Sequence, residues 1–159
     1  MVMKQLILTR GVSGSGKSFL AKQLKEKYMN DGLTCHIFST DDYWYIGNGD
    51  KYIFDFSKIG VAHRWNQKRV KNAMHNCENV VIVDNTNTTW KEIKNYIDMA
   101  LTHNYSVKTV EPSTAWKYNV DECFEKNSHG VPRETIQRML DRFVDNETIC
   151  KQIEERMKC

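Results

Sequence analysis

Eight consecutive residues, Gly11-Val12-Ser13-Gly14-Ser15-Gly16-Lys17-Ser18, constrain this chain more than any others. They carry the spacing G-x-x-x-x-G-K-S, directly after an apolar run, Leu6-Ile7-Leu8-Thr9, and directly before a helix-like stretch from Phe19 to Leu24. A strand, a glycine-rich loop and a helix in that order build a cradle for phosphate. The glycines let successive backbone N–H groups curl round an anion without Cβ clashes, and the helix points its positive dipole end at the same place. Gly11, Val12, Ser13, Gly14, Ser15, Gly16, Lys17 and Ser18 are therefore the expected binding residues for a nucleoside triphosphate, ATP or GTP. Lys17 would reach the β- and γ-phosphates and Ser18 would hold Mg2+.

Around this loop, β and helical patterns alternate, the signature of a parallel sheet covered by helices. Strands are expected from Lys4 to Thr9, Thr34 to Phe38, Asn79 to Val83 and Ser106 to Val110. Helices are expected from Lys17 to about Tyr28, Ser57 to His75, Ala115 to Lys126, Pro132 to Asn146 and Glu147 to Lys158. A further one starts at the capping box Thr89-Trp90-Lys91-Glu92 and carries Ile93, Tyr96, Ile97, Ala100 and Leu101 at helical spacing. Between Asp41 and Asp55 lies a polar, aromatic loop, of a length that is commonly functional. The fold class is α/β: a doubly wound P-loop NTPase fold with a four-stranded parallel sheet in the order 2-3-1-4 and helices on both faces.

At 159 residues the chain makes one domain with a sizeable core, and its 40% hydrophobic and 27% charged content excludes wholesale disorder. No charged-then-apolar leader and no run near the ~20 apolar residues of a membrane span is present, so neither a signal peptide nor a membrane partner is expected. Five scattered cysteines, Cys35, Cys77, Cys123, Cys150 and Cys159, form no C-x-x-C pair. They read as reduced thiols, which places the protein inside the cell, in cytoplasm or nucleus. The net charge of +3 is small, but Arg64, Lys68, Arg69 and Lys71 crowd one segment and Lys126, Arg133, Arg138 and Arg142 another.

Ligands of open α/β sheets sit at the carboxyl ends of the strands, and three polar segments fall there. The glycine loop follows the first strand, Ser39-Thr40-Asp41-Asp42-Tyr43 the second, and Asp84-Asn85-Thr86-Asn87 the third. Asp84, at the end of a β-branched run, has the placing of an aspartate that orders the metal's water shell beside Ser18. Phosphoryl transfer to a hydroxyl needs a carboxylate near the acceptor. Of the adjacent pair, Asp41 suits that role while Asp42 braces the loop. The segment Lys126-Asn127-Ser128-His129-Gly130-Val131-Pro132-Arg133 links two helices as a cationic lid, able to stabilise charge on the transferring group and to exclude water. A lone loop histidine such as His129 is ordinarily just solvated.

These motifs, with Ala62-His63-Arg64-Trp65-Asn66-Gln67-Lys68-Arg69 between them, resemble the phage-type polynucleotide 5′-hydroxyl kinase family. The likeness runs over about residues 4 to 144 and is nearest to the animal branch of ubiquitin-ligase-binding protein 2-like kinases. The kinase-like domain of myelin cyclic-nucleotide phosphodiesterase is a more distant relative. The resemblance implies a P-loop kinase domain over residues 1–146 with residues 147–159 as its helical extension. It also implies transfer of the γ-phosphoryl of ATP, with Mg2+, to the 5′-hydroxyl of RNA or DNA. Asp41 maps to the general base, Lys17 and Ser18 to the loop pair, and Lys126-Asn127 to an R-N-type lid motif, with Arg133 and Arg138 as further lid cations. Trp44 stands where phage enzymes carry an arginine that contacts the acceptor. Tyr43, Trp44, Tyr45 and Trp65 are candidates to stack on a terminal base. Two other readings stay open: a kinase of a small-molecule or nucleoside hydroxyl, and a nucleotide-gated binding module without turnover.

Overall fold

A computed structural model describes residues 2–158; Met1 and Cys159, the last of the five cysteines, lie outside the described residues. The sheet is built from β1 (Gln5–Thr9), β2 (Cys35–Phe38), β3 (Val80–Asp84) and β4 (Ser106–Val110), all parallel, in the order β2-β3-β1-β4. This is the expected order. Every residue of β3 is buried, as a central strand covered on both faces must be.

Side chains alternate across the sheet and divide the core in two. Leu6, Leu8, Val81 and Val83 face α2 (Ile59–His75), α3 (Trp90–His103) and α6 (Asn146–Met157). Ile7, Val80 and Ile82 face α1 (Lys17–Asn30) through Ala21 and Leu24. A third, smaller cluster joins Val12 of the glycine loop to Cys123 of α4 (Val120–Lys126) and Ile136 of α5 (Arg133–Arg142).

The element boundaries move where side chains compete for the backbone. Residues Thr40–Tyr45, expected as open loop, wind into a 3-10 helix because Ser39 caps it, its hydroxyl accepting the Asp41 N–H. Asn119 caps α4 through the Glu122 N–H, so helix starts there and not at Ala115. α5 ends at Arg142, short of the expected Asn146. Phe143 and Val144 pass in extended form, Val144 pairing with the Thr88 carbonyl at 2.9 Å, before Asp145 caps α6. The α3 capping box forms as read, Thr89 with Glu92.

Candidate active site

In register, Thr9, Asp84 and Val110 end β1, β3 and β4 side by side, with Phe38 of β2 level with Val83. The connections that follow therefore open on one cleft. Its floor is the glycine loop, with Gly14 at φ +80° and Gly16 at φ +103°, a left-handed backbone that a side chain would strain. Close approach matters as much as backbone angle. A Cβ on Gly14 would lie 2.0 Å from the Cys123 carbonyl oxygen, and one on Gly16 2.9 Å from Thr114. The loop is also braced from the segment after β4, with Trp116 Nε1 donating to the Gly14 carbonyl at 3.1 Å and Thr114 Oγ1 to that of Ser15 at 2.7 Å.

Ser18 and Asp84 meet directly. Ser18 Oγ donates to Asp84 Oδ2 at 2.8 Å, and Thr9 Oγ1 holds Asp84 Oδ1 at 2.9 Å. Asp84 is the last residue of β3 and not the first beyond it, fixed by its pairing with Thr9. One hydroxyl and one carboxylate at the edge of a phosphate cradle fit magnesium, which is held by few protein oxygens and keeps several waters. Lys17 lines the same cleft.

Opposite stands Asp41. Its Oδ2 lies 3.3 Å from His129 Nδ1 of the lid, and its Oδ1 accepts from Tyr52 Oη at 3.3 Å. The Tyr52 and His129 rings lie nearly parallel, 9° apart with centroids 4.3 Å apart. Burial would raise the Asp41 carboxyl, but the His129 hydrogen bond and charge, Lys17 and Tyr52 outweigh it, and the group sits below the usual carboxylate range. Burial, then Asp41 itself, pushes the Tyr52 phenol up, so it stays a donor. Asp42 turns away to pair with Arg69 at 3.1 Å, which also packs over the Trp65 ring at 4.0 Å. Asp41 thus lines the cleft and Asp42 does not.

The other expected site residues divide. Gly14, Gly16, Ser13, Lys126 and Asn127 line the cleft, Lys126 with its ammonium 4.4 Å from the centre of the Trp116 ring. Val12 and Ser15 are buried beneath the loop, and Gly11 is packed against Ser15 and Pro112. Arg133 is not among the lining residues. Its Nε donates to Asp121 at 2.6 Å, an exposed pair between the first turns of α5 and α4, so the structure does not bring it to the cleft. Trp44 is 4% exposed and packs edge-on against Tyr43 and Phe54, which removes it from base stacking. Sequence reasoning missed Tyr52 and Trp116 entirely and discounted His129, whose partner lies 88 positions away.

Comparison with known proteins adds the family and the fold. Human NEDD4-binding protein 2 (Homo sapiens) is 46% identical over 138 residues, covering 87% of this chain and 8% of that protein. The 2′,3′-cyclic-nucleotide 3′-phosphodiesterase of Mus musculus is 30% identical over 136 residues, covering 86% of this chain and 30% of its own length. The chain thus spans less than a third of either relative. Among solved structures, a chain in the Pnkp1/Rnl/Hen1 RNA repair complex has the same fold, with TM-score 0.63 and 16% identity over 89% of this chain and 44% of that one. Residues 6–145 match the AAA domain family, and with that match spanning nearly the whole sheet, the glycine loop and the lid, the chain belongs to this family.

Proposed function

We propose that the protein transfers the γ-phosphoryl group of ATP, with Mg2+, to the 5′-hydroxyl of RNA or DNA, and that it belongs to the animal branch of the polynucleotide kinase family. The observation that carries this reading is the meeting, across one cleft, of Asp41 with Lys17 and the Ser18–Asp84 pair. A carboxylate placed opposite a phosphate cradle serves an acceptor hydroxyl and has no use in mere nucleotide binding. The likeness to a chain from an RNA repair complex and to a cyclic-nucleotide phosphodiesterase favours a nucleic-acid end as that acceptor.

Each residue then has a defined task. The glycine loop and Lys17 hold the donor's phosphates, while Ser18 and Asp84 keep the metal ion beside them. That ion, when bound, neutralises charge on the transferring group. Asp41 accepts the acceptor's proton as the hydroxyl oxygen forms its bond to the γ-phosphorus and the bond from that phosphorus to the β,γ-bridging oxygen breaks, releasing ADP. Tyr52 and His129 fix the direction of the carboxylate. Lys126 brings a positive charge from the lid, as a point charge without the two-pronged grip of arginine.

Incubation with γ-labelled ATP, Mg2+ and short 5′-OH oligonucleotides tests the proposal, with Asp41→Asn alongside. Label on the oligonucleotide is expected, reduced about 10²–10⁴-fold in the variant, with ATP binding retained. Transfer at the wild-type rate in the variant would remove Asp41 from the chemistry. ATP binding without label on any oligonucleotide would overturn the choice of acceptor.

A further inference from the structure

The connection between the 3-10 helix that carries Asp41 and the start of α2 leaves large apolar side chains in water. Phe56 is 80% exposed, and Ile53 and Phe54 are each about half exposed. An isolated exposed phenylalanine needs no explanation, but a run of them beside a catalytic carboxylate does. The segment is tied to the 3-10 helix that carries that carboxylate at two points. Tyr52 touches Asp41, and the Ile53 N–H donates to the Trp44 carbonyl at 3.0 Å. Phe54 rests edge-on against Trp44, with ring centres 4.9 Å apart.

Charge gathers on the same stretch. Between Ile46 and Lys71, six lysines and arginines face two aspartates, a surplus of four on a chain whose whole net charge is +3. Arg69 is paired with Asp42, but Lys58 lies two residues beyond the exposed Phe56, and Arg64 and Lys68 stand exposed on α2 one turn apart. Exposed aromatic rings flanked by Lys51 and Lys58, with a single carboxylate, Asp55, between them and continuous with the acceptor carboxylate, have the composition of a single-strand track, in which bases stack and phosphates are neutralised.

We infer that the segment from Tyr52 to Lys58, with Arg64 and Lys68 of α2, forms a track for the single-stranded nucleic acid that trails from the acceptor end. This rests on the acceptor proposed above and extends it: the protein grips a strand and not only a terminal nucleotide. From Tyr52 to Phe56 the chain can span at most about 14 Å, so the track serves the first few nucleotides. A surface meant for a protein partner would need neither the flanking cations nor the link to Asp41.

The test compares a 5′-OH octanucleotide with a nucleoside 3′-monophosphate as acceptors, for the wild type, Phe56→Ala and Lys58→Ala/Arg64→Ala. The wild type is expected to favour the octamer through a lower KM. Phe56→Ala should erode that advantage about tenfold, and the double variant should lower the salt dependence of octamer binding by about 0.7 per cation removed. Equal use of both acceptors by the wild type, or an advantage untouched by the variants, overturns the track while leaving the kinase reading intact. Transfer to neither acceptor defeats the kinase reading instead. Anisotropy of a labelled octamer then decides the track by itself: weakening by the variants supports it, and equal binding assigns the surface to a protein partner and overturns it.

Discussion

Asp41 gains its character from two residues that neighbour it only in the folded chain. A hydrogen bond to a charged group contributes about 1.5–3 kcal/mol when buried, and less here because His129 and Asp41 are both partly exposed. His129→Ala is therefore expected to lower kcat/KM roughly fivefold to tenfold. The same change lets burial raise the Asp41 carboxyl again, so the acid limb of the kcat/KM profile should move to higher pH; a limb that stays in place would show that His129 does not act on Asp41. The sign for stability runs with the lowered native value. The contribution of Asp41 is present above its unfolded-state pKa of about 3.9 and is lost as pH falls through the native one. Asp41 was legible in the sequence because strand ends place ligands. Tyr52 was not, since neither period nor spacing links it to a carboxylate 11 positions before it. The sequence left Trp44 open between base stacking and core packing, and only its burial against Phe54 decides for the core.

Among the elements, the glycine loop and α4 are fitted to each other. Gly14 combines a positive φ with a carbonyl where its side chain would go, so Gly14→Ala adds backbone strain to a collision with α4. We expect a loss of about 2–4 kcal/mol in denaturant unfolding together with weaker ATP binding. Retained affinity would show that α4 yields without disturbing the loop. The expected helical stretches that failed to form, Ala115 to Tyr118 and Phe143 to Asp145, were misread for one reason. Helical periodicity continues through residues whose backbone groups are taken by Asn119, Asp145 and Thr88. The strands were read nearly to the residue because β-branched runs bounded by polar residues have few other solutions.

Across the whole molecule, Arg10 binds distant parts together. It is wholly buried, donating through Nε to the Asn87 carbonyl at 2.9 Å and through Nη2 to the carbonyls of Thr88 and Val144, with its guanidinium 4.5 Å from the Phe143 ring centre. It thus joins β1, the turn after β3 and the passage from α5 to α6. Arg10→Leu would take this donor from the Asn87 and Val144 carbonyls and leave the Thr88 carbonyl with only the Val144 N–H, an expected cost of about 2–4 kcal/mol. That corresponds to a drop of roughly 5–15 °C in Tm for a chain of this size; a drop under 2 °C would mean that the carbonyls find other donors. A charged residue between a strand and a glycine loop reads as surface, so this role was hidden in the sequence, while sheet order and fold class were open to view. The small apolar cluster of Val12, Cys123 and Ile136 has a further consequence. The glycine loop and the helices that flank the lid are expected to melt as one cooperative unit. In amide hydrogen exchange, α4, α5 and the glycine loop should lose protection together, and a bound nucleotide should slow all three by the same factor.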